Sequence, residues 1–340
     1  QTLYTQVAGL NELRQLLSDK LKKDLEVDYK SDEIIVSNGG KQVIYNALQS
    51  TINKGDEVII VSPYWVSYPE IIKLCGGKPK ILQSKRKDGF SINTKNLEKL
   101  ITSKTKWLIL NSPNNPTGTV YSFETLKNLT ELLKKYPEIW VLSDDIYEKL
   151  NFSSKKNVNI INLDKRLKER SLIVNGFSKG YCMTGWRLGY GAGPKILIEA
   201  MKKIQSQSTS APNTIAQNAA IEALKLDNNY FEEIKTSLIK RRAVVTSAFS
   251  DFQSFSSNFS QGAFYIFPSI KRFLGKRLNG RDIIVDDTSF CLHLLSSEYV
   301  AVVPGSSFGS KDSIRISYAL SEKDLRIGCK RIKRFCKKLV

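Results

Sequence analysis

One stretch carries the residue types that covalent carbonyl chemistry needs: Gly176-Phe177-Ser178-Lys179-Gly180, followed by Met183-Thr184-Gly185-Trp186-Arg187. The branched residues over 171–175 predict a buried strand running into a glycine-flanked turn. A lysine presented there is partly desolvated, which lowers its pKa and leaves its amine nucleophilic. Arg187, eight residues on, can fold back to grip an anion in a bidentate way. A lysine near an arginine suits a phosphorylated carbonyl cofactor. A second feature fits the same demand. Gly39-Gly40-Lys41 follows strand-like 33–37 and opens a helix over 41–52, whose positive end could receive a phosphate. Spacing alone leaves simpler readings open. Lys179 is one of 52 basic residues, and a Gly-Gly pair also makes an ordinary strand-to-helix turn.

Other chemistries find little support. His293 is the single histidine, so a multi-histidine metal site is excluded; it lies in an apolar pattern that places it on a helix surface. A Ser-His-Asp triad would have to use it, and no nucleophile motif accompanies it. Cys75, Cys182, Cys291, Cys329 and Cys336 form no CxxC pair and read as free thiols of a reducing cytosol. Lys and Arg outnumber the 33 acidic residues for a net charge of +19. The basic residues are dispersed, with clusters at 85–87, 271–281 and 330–338. Without zinc-finger spacing or an aromatic-basic RNA signature, they predict a lysine-rich surface that draws in anionic substrates, with no nucleic-acid partner. No apolar run reaches membrane-spanning length.

The elements that must position these groups alternate. Strands are expected over 33–37, 57–62, 106–111, 139–143, 171–175 and 187–191, with a helix through Leu10, Leu13, Leu17 and Leu21 and another over 123–135. Alternation predicts an α/β domain with a mostly parallel sheet, whose ligands bind beyond the carboxyl ends of the strands. Helices over 194–205, 211–226 and 230–249 then lead to a smaller domain. Its strands are expected near 262–267, 300–303 and 313–317, its helices near 288–297 and 322–338, with an exposed basic loop over 272–287. At 340 residues the chain exceeds one ordinary core.

The whole string around Lys179 resembles the signature of class I pyridoxal-phosphate-dependent aminotransferases, and the resemblance extends along nearly the whole chain. Tyr4 with Ala8-Gly9 and Leu13-Arg14, Ser37-Asn38-Gly39-Gly40-Lys41-Gln42, Pro63-Tyr64-Trp65-Val66-Ser67-Tyr68, Asn111-Ser112-Pro113-Asn114-Asn115-Pro116-Thr117-Gly118, Ser143-Asp144-Asp145-Ile146-Tyr147-Glu148 and Ser313-Ile314-Arg315-Ile316-Ser317-Tyr318-Ala319 match in order. The pattern is most similar to bacterial-type aspartate/prephenate aminotransferases. It implies a fold-type-I transferase: a large domain over 1–248, with a mostly parallel mixed sheet between helices, and a smaller α+β domain over 249–340.

The resemblance also implies roles. Lys179 would hold pyridoxal 5'-phosphate as a Schiff base and, once freed, move the proton from the substrate α-carbon. Asp144, rather than Asp145, would pair with the pyridine nitrogen and keep the ring an electron acceptor. Tyr147 and Asn115 would bond the phenolic oxygen, Asn115 also touching the substrate, with a cis bond possible before Pro116. Trp65 would stack on the ring and meet the substrate. Gly39, Gly40, Lys41 and Arg187 would bind the phosphate, and Tyr4 the phosphate in a neighbouring subunit, which implies a homodimer. Arg315, on the face opposite Ile314 and Ile316, would bind the substrate α-carboxylate. The implied reaction moves an amino group between L-aspartate and 2-oxoglutarate, with prephenate as a further acceptor, in the cytoplasm. The start at Gln1 departs from the family pattern and reads as a fragment lacking part of the small domain. The alternatives are another reaction on the same cofactor, such as a β-lyase, or an inactive remnant.

Overall fold

The computed structural model describes residues 2–153, 158–250, 255 and 260–340. Helix α1 (Asn11–Leu25) buries Leu13, Leu17 and Leu21 at successive four-residue steps. That burial stabilises the docked helix by roughly 1.5–3 kcal/mol per leucine. There follow β1 (Ile34–Ser37), α2 (Gly40–Thr51), β2 (Glu57–Ser62), α3 (Ser67–Leu74), β3 (Lys78–Gln83), α4 (Thr94–Glu98), β4 (Thr105–Asn111), α5 (Phe123–Leu133) and β5 (Trp140–Asp144). Then come β6 (Ser171–Gly176), β7 (Gly189–Ala192), α6 (Lys195–Ser208), α7 (Thr214–Ala223) and the long α8 (Asn228–Ala248).

Among the described residues the main sheet has seven strands in the order β1-β7-β6-β5-β4-β2-β3. β2, β3, β4, β5 and β6 run parallel, and β7 is antiparallel to both β6 and β1. Six strands therefore end at one edge, and β7 begins there. Alternation along each strand feeds two cores. On β2, Ile59 and Val61 face the α1 and α5 side, while Val58 and Ile60 face α2, α3 and α6. Leu108 and Leu110 on β4 repeat the division against Trp107 and Ile109. Burial of both faces makes these strands near-continuous apolar runs in the sequence.

The C-terminal part has its own core. A sheet ordered β11-β12-β8 is built from β11 (Val303–Pro304), β12 (Ile314–Ser317) and β8 (Tyr265–Ile266). The helices α9 (Asp287–Glu298) and α10 (Glu322–Lys337) cover it, burying Phe290, Leu294, Leu325, Ile332 and Phe335. α8 links the cores: Phe231 belongs to the first, Leu238 and Val245 to this one.

Several expectations need correction. The span 272–287 is not simply a loop. It holds the paired strands β9 (Arg277–Leu278) and β10 (Asp282–Ile283) and buries Phe273, Leu278 and Ile284. The strand expected from 187 starts at Gly189, because Arg187 takes a left-handed conformation with φ 54°. The strands near 262–267 and 300–303 shrink to β8 and β11. β3 and α3 were not anticipated. β3 is one of the two edge strands, and its Lys78, Pro79 and Lys80 hide the apolar pattern. Cys182 is exposed and the other four cysteines are buried, all as free thiols. His293 lies half-buried on α9.

Candidate active site

The shared strand edge opens onto a cavity of about 270 Å³ lined by Gly40, Lys41, Trp65, Asn111, Asn115, Asp144, Tyr147, Ser178, Lys179, Thr184, Arg187, Tyr265 and Arg315, among others. Each major strand end contributes: α2 opens just after β1, Trp65 follows β2, Asn115 follows β4, Asp144 ends β5 and Lys179 follows β6. Arg187 precedes β7, and the reversed direction of that strand brings it to the same edge. Arg315 comes from β12 in the C-terminal sheet and closes the cavity from the other side.

Lys179 stands 5.5 Å from the Phe264 ring centroid and 5.9 Å from that of Tyr147. Burial, then the charges of Arg315 and Arg187, lower its pKa. That is the shift a nucleophilic amine requires. Asp144 is buried, and burial raises its carboxyl to about 6 although the Tyr68 hydroxyl donates to Oδ2 at 2.5 Å. Asp145 is turned elsewhere: it accepts from the Ser143 hydroxyl at 2.7 Å and from Asn159 Nδ2 at 2.6 Å. Asp144, and not Asp145, faces the cavity.

The Asn111 amide donates to the Asp144 carbonyl at 2.9 Å, and its Oδ1 accepts from the Asn115 backbone N–H at 2.9 Å. This fixes the turn that presents Asn115, whose bond to Pro116 is cis. The Arg315 Nη1 donates to Asn115 Oδ1 at 3.0 Å, and its guanidinium lies 4.5 Å from the Tyr265 ring centroid. Its Nε is buried with no hydrogen-bond partner among the described residues. A buried donor of this kind is costly unless an acceptor meets it. The Tyr147 and Tyr265 hydroxyls are 2.9 Å apart.

α2 begins on Gly39, with no side chain capping its first backbone N–H groups. Gly39 has φ 86°, and a Cβ there would come within 2.7 Å of Arg187 Nη2. The guanidinium therefore lies against an uncapped helix N-terminus, an arrangement suited to a phosphate. A Cβ on Gly189 would meet the Gly40 backbone nitrogen at 2.4 Å, so only glycine lets β7 approach this turn. Lys41 Nζ sits 5.1 Å from the Trp65 ring centroid.

Comparison with known families decides the assignment: the profile of the family described as aminotransferase class I and II matches residues 1–332. The chain belongs to the class I and II aminotransferases. It is 46% identical to a probable aspartate/prephenate aminotransferase of Rhizobium leguminosarum bv. phaseoli, covering 99% of this chain and 84% of that protein. It is 43% identical to the aspartate/prephenate aminotransferase of Cereibacter sphaeroides, over 99% and 84% of the two chains. The solved aspartate aminotransferase of Rhizobium meliloti superposes with a TM-score of 0.96 at 40% identity, covering 100% of this chain and 85% of that one.

Of the residues expected at the site of this aminotransferase, Gly40, Lys41, Trp65, Asn115, Asp144, Tyr147, Lys179, Arg187 and Arg315 line one cavity. Gly39 borders it through Arg187. Tyr4 is not brought there within the chain, being 94% exposed at the N-terminal end. Tyr68 and Asn111 lie within the matched motifs without an expected role there, and Tyr265 lies outside them; all three meet the cavity or its lining. Tyr68 lies three residues from Trp65, and the two rings pack edge-on at 5.3 Å, one helical step that could have flagged it. Among the described residues no helix is long and apolar enough to cross a membrane.

Proposed function

We propose that this aminotransferase moves an amino group between L-aspartate and 2-oxoglutarate, with prephenate as a further acceptor, using pyridoxal 5'-phosphate carried by Lys179. The observation that carries the reading is the placement of Lys179, Asp144 and Arg315 around a single cavity. The residues fit that cofactor at each part: the Gly39–Gly40 turn and Arg187 for the phosphate, Trp65 for the ring face, Asp144 for the ring nitrogen, and Tyr147 with Asn115 for the phenolic oxygen. Bound there, pyridoxal phosphate supplies an electron sink for the charge released at the substrate α-carbon.

The chain's own groups do the rest. Asp144 holds the proton on the ring nitrogen by its charge. Arg315 offers its fork, including the unpartnered Nε, to the substrate α-carboxylate. That orients the α-hydrogen toward the Lys179 amine, which carries the proton as a base of lowered pKa. Lys41, Lys179, Arg187 and Arg315 give the cavity a cationic lining that favours dicarboxylic substrates. The names of the relatives support aspartate and prephenate.

The same reading takes 1–248 as the large domain and 249–340 as the small one, with α8 reaching from one core into the other. It takes the protein as a cytoplasmic homodimer in which the exposed Tyr4 reaches the partner's phosphate. The test is a panel of amino donors and keto acids on the purified protein with added cofactor. Oxaloacetate and glutamate from aspartate and 2-oxoglutarate are expected. Alanine and carbon dioxide from aspartate, with no glutamate formed, would instead mark a lyase and overturn the reading.

A further inference from the structure

The cofactor-side loop after β3 sends one side chain into the C-terminal part. Arg86 Nη1 donates to the Phe267 carbonyl at 2.6 Å, and Nη2 donates to Ser313 Oγ at 2.8 Å. Its guanidinium also lies 5.2 Å from the Phe90 ring centroid and 5.8 Å from that of Phe267. Burial lowers its pKa although the Asp312 carboxylate is near. Around it Phe90, Phe267 and Phe308 form a small separate apolar cluster.

Phe267 and Ser313 both lead to Arg315. Ser313 is fully buried and lies two residues before Arg315, at the entry to β12. Phe267 packs edge-on against Phe308 with centroids 5.8 Å apart, and Phe308 lies 5.0 Å beneath the Arg315 guanidinium. Neighbouring contacts tie the same junction: Tyr64 N–H donates to the Phe308 carbonyl at 3.1 Å, and the Ser62 hydroxyl to the Gly309 carbonyl at 3.0 Å. Arg86 is outside the cavity lining, so it does not meet substrate directly.

We infer that Arg86 is a positioning residue for substrate recognition: it latches β12 and Phe308 to the cofactor side and so sets the angle at which Arg315 meets the substrate carboxylate. The inference rests on the carboxylate-binding reading of Arg315. A planar fork is required, because two acceptors on different segments are bridged at once. A lysine ammonium offers one nitrogen where the fork offers two, so it does not reproduce that bridge.

The experiment uses the cofactor-loaded enzyme, titrated spectroscopically with succinate and assayed with aspartate and 2-oxoglutarate. Arg86→Met is expected to raise the KM for aspartate and the Kd for succinate by roughly ten- to hundredfold, the scale of an ångström-level misplacement. The cofactor absorption spectrum should be unchanged. Arg86→Lys, which keeps charge and bulk, should show the same direction with a smaller rise and guards against misfolding of the first variant. In an Arg315→Lys background, Arg86→Met should add little, since the group it orients is already lost. An unchanged succinate Kd in both Arg86 variants, with Arg315→Lys still weakening succinate, would overturn the latch and leave the carboxylate reading standing. Succinate binding untouched by Arg315→Lys would overturn the carboxylate reading, and the latch with it.

Discussion

The two walls of the cavity are built in opposite ways. The cofactor wall is formed by the ends of β1, β2, β4, β5 and β6, strands buried on both faces in register across the sheet, as in the pairing of Asn111 with Asp144 and of Asp144 with Val174. The substrate wall rests on Arg315, carried by a four-residue strand between two-residue partners. Its guanidinium is held by rings and by Asn115 across the junction. A deep sheet fixes groups that must hold one geometry through a reaction. A thin sheet steadied by cross-junction contacts can yield when a substrate arrives. Damage to the first wall should therefore abolish chemistry, and damage to the second should weaken binding first.

The sharpest way to expose that contrast is Lys179→Ala. It should cost on the order of 10⁴-fold or more in turnover, the upper range for a positioned proton carrier, as measured by single-turnover kinetics with aspartate. Retention of more than a few per cent of activity would place the proton carrier elsewhere. Next comes Asp144→Asn, expected to lower kcat on the order of 10²- to 10³-fold, as for loss of one preorganised electrostatic partner.

That second variant also has a stability signature. Burial raises the Asp144 carboxyl from 3.8 to about 6 in the fold. The folded chain thus binds that proton more tightly than the unfolded one. The associated stability is present below pH 4 and is lost as pH rises through about 6. Without cofactor, Asp144→Asn should gain roughly 2–3 kcal/mol over the parent above pH 7. The gain should vanish near pH 4, as read by denaturant melts at the two values. A pH-independent difference would contradict the buried-carboxylate account.

On the substrate wall, Arg315→Lys should raise the KM for aspartate roughly 10- to 100-fold, the worth of a charge-assisted bidentate pair. Its kcat should change much less than in the Lys179 and Asp144 variants. An equal collapse of kcat would erase the distinction between the walls. The smallest effect is expected from Tyr68→Phe. The lost hydroxyl favours the charged form of Asp144, so its removal moves the carboxyl pKa further upward. The acid limb of cofactor binding should shift to higher pH. A shift to lower pH would show that Tyr68 acts otherwise.

The strand ends that line the cavity were legible in the sequence because strand ends announce themselves. Asp144 ends one branched apolar run, and Lys179 follows another in a turn marked by Gly176 and Gly180. The choice of Asp144 over its neighbour came from the family resemblance, and in the structure the Ser143 and Asn159 bonds turn Asp145 away from the cavity. β3 escaped notice because an edge strand carries lysines where a central one carries valines. Arg86 was hidden differently. Lys85, Arg86 and Lys87 read as one surface charge cluster, and only tertiary packing separates the half-buried fork from its exposed neighbours. The hairpin of β9 and β10 was obscured by the same basic composition.

Of the four cations lining the cavity, Lys179 is the one proposed to carry the cofactor. Borohydride reduction of the pyridoxal-phosphate-loaded protein, followed by peptide mass mapping, tests it directly. One pyridoxyl-phosphate adduct is expected on the peptide containing Lys179 and none on the peptide containing Lys41. An adduct on Lys41, or none on Lys179, would overturn the assignment.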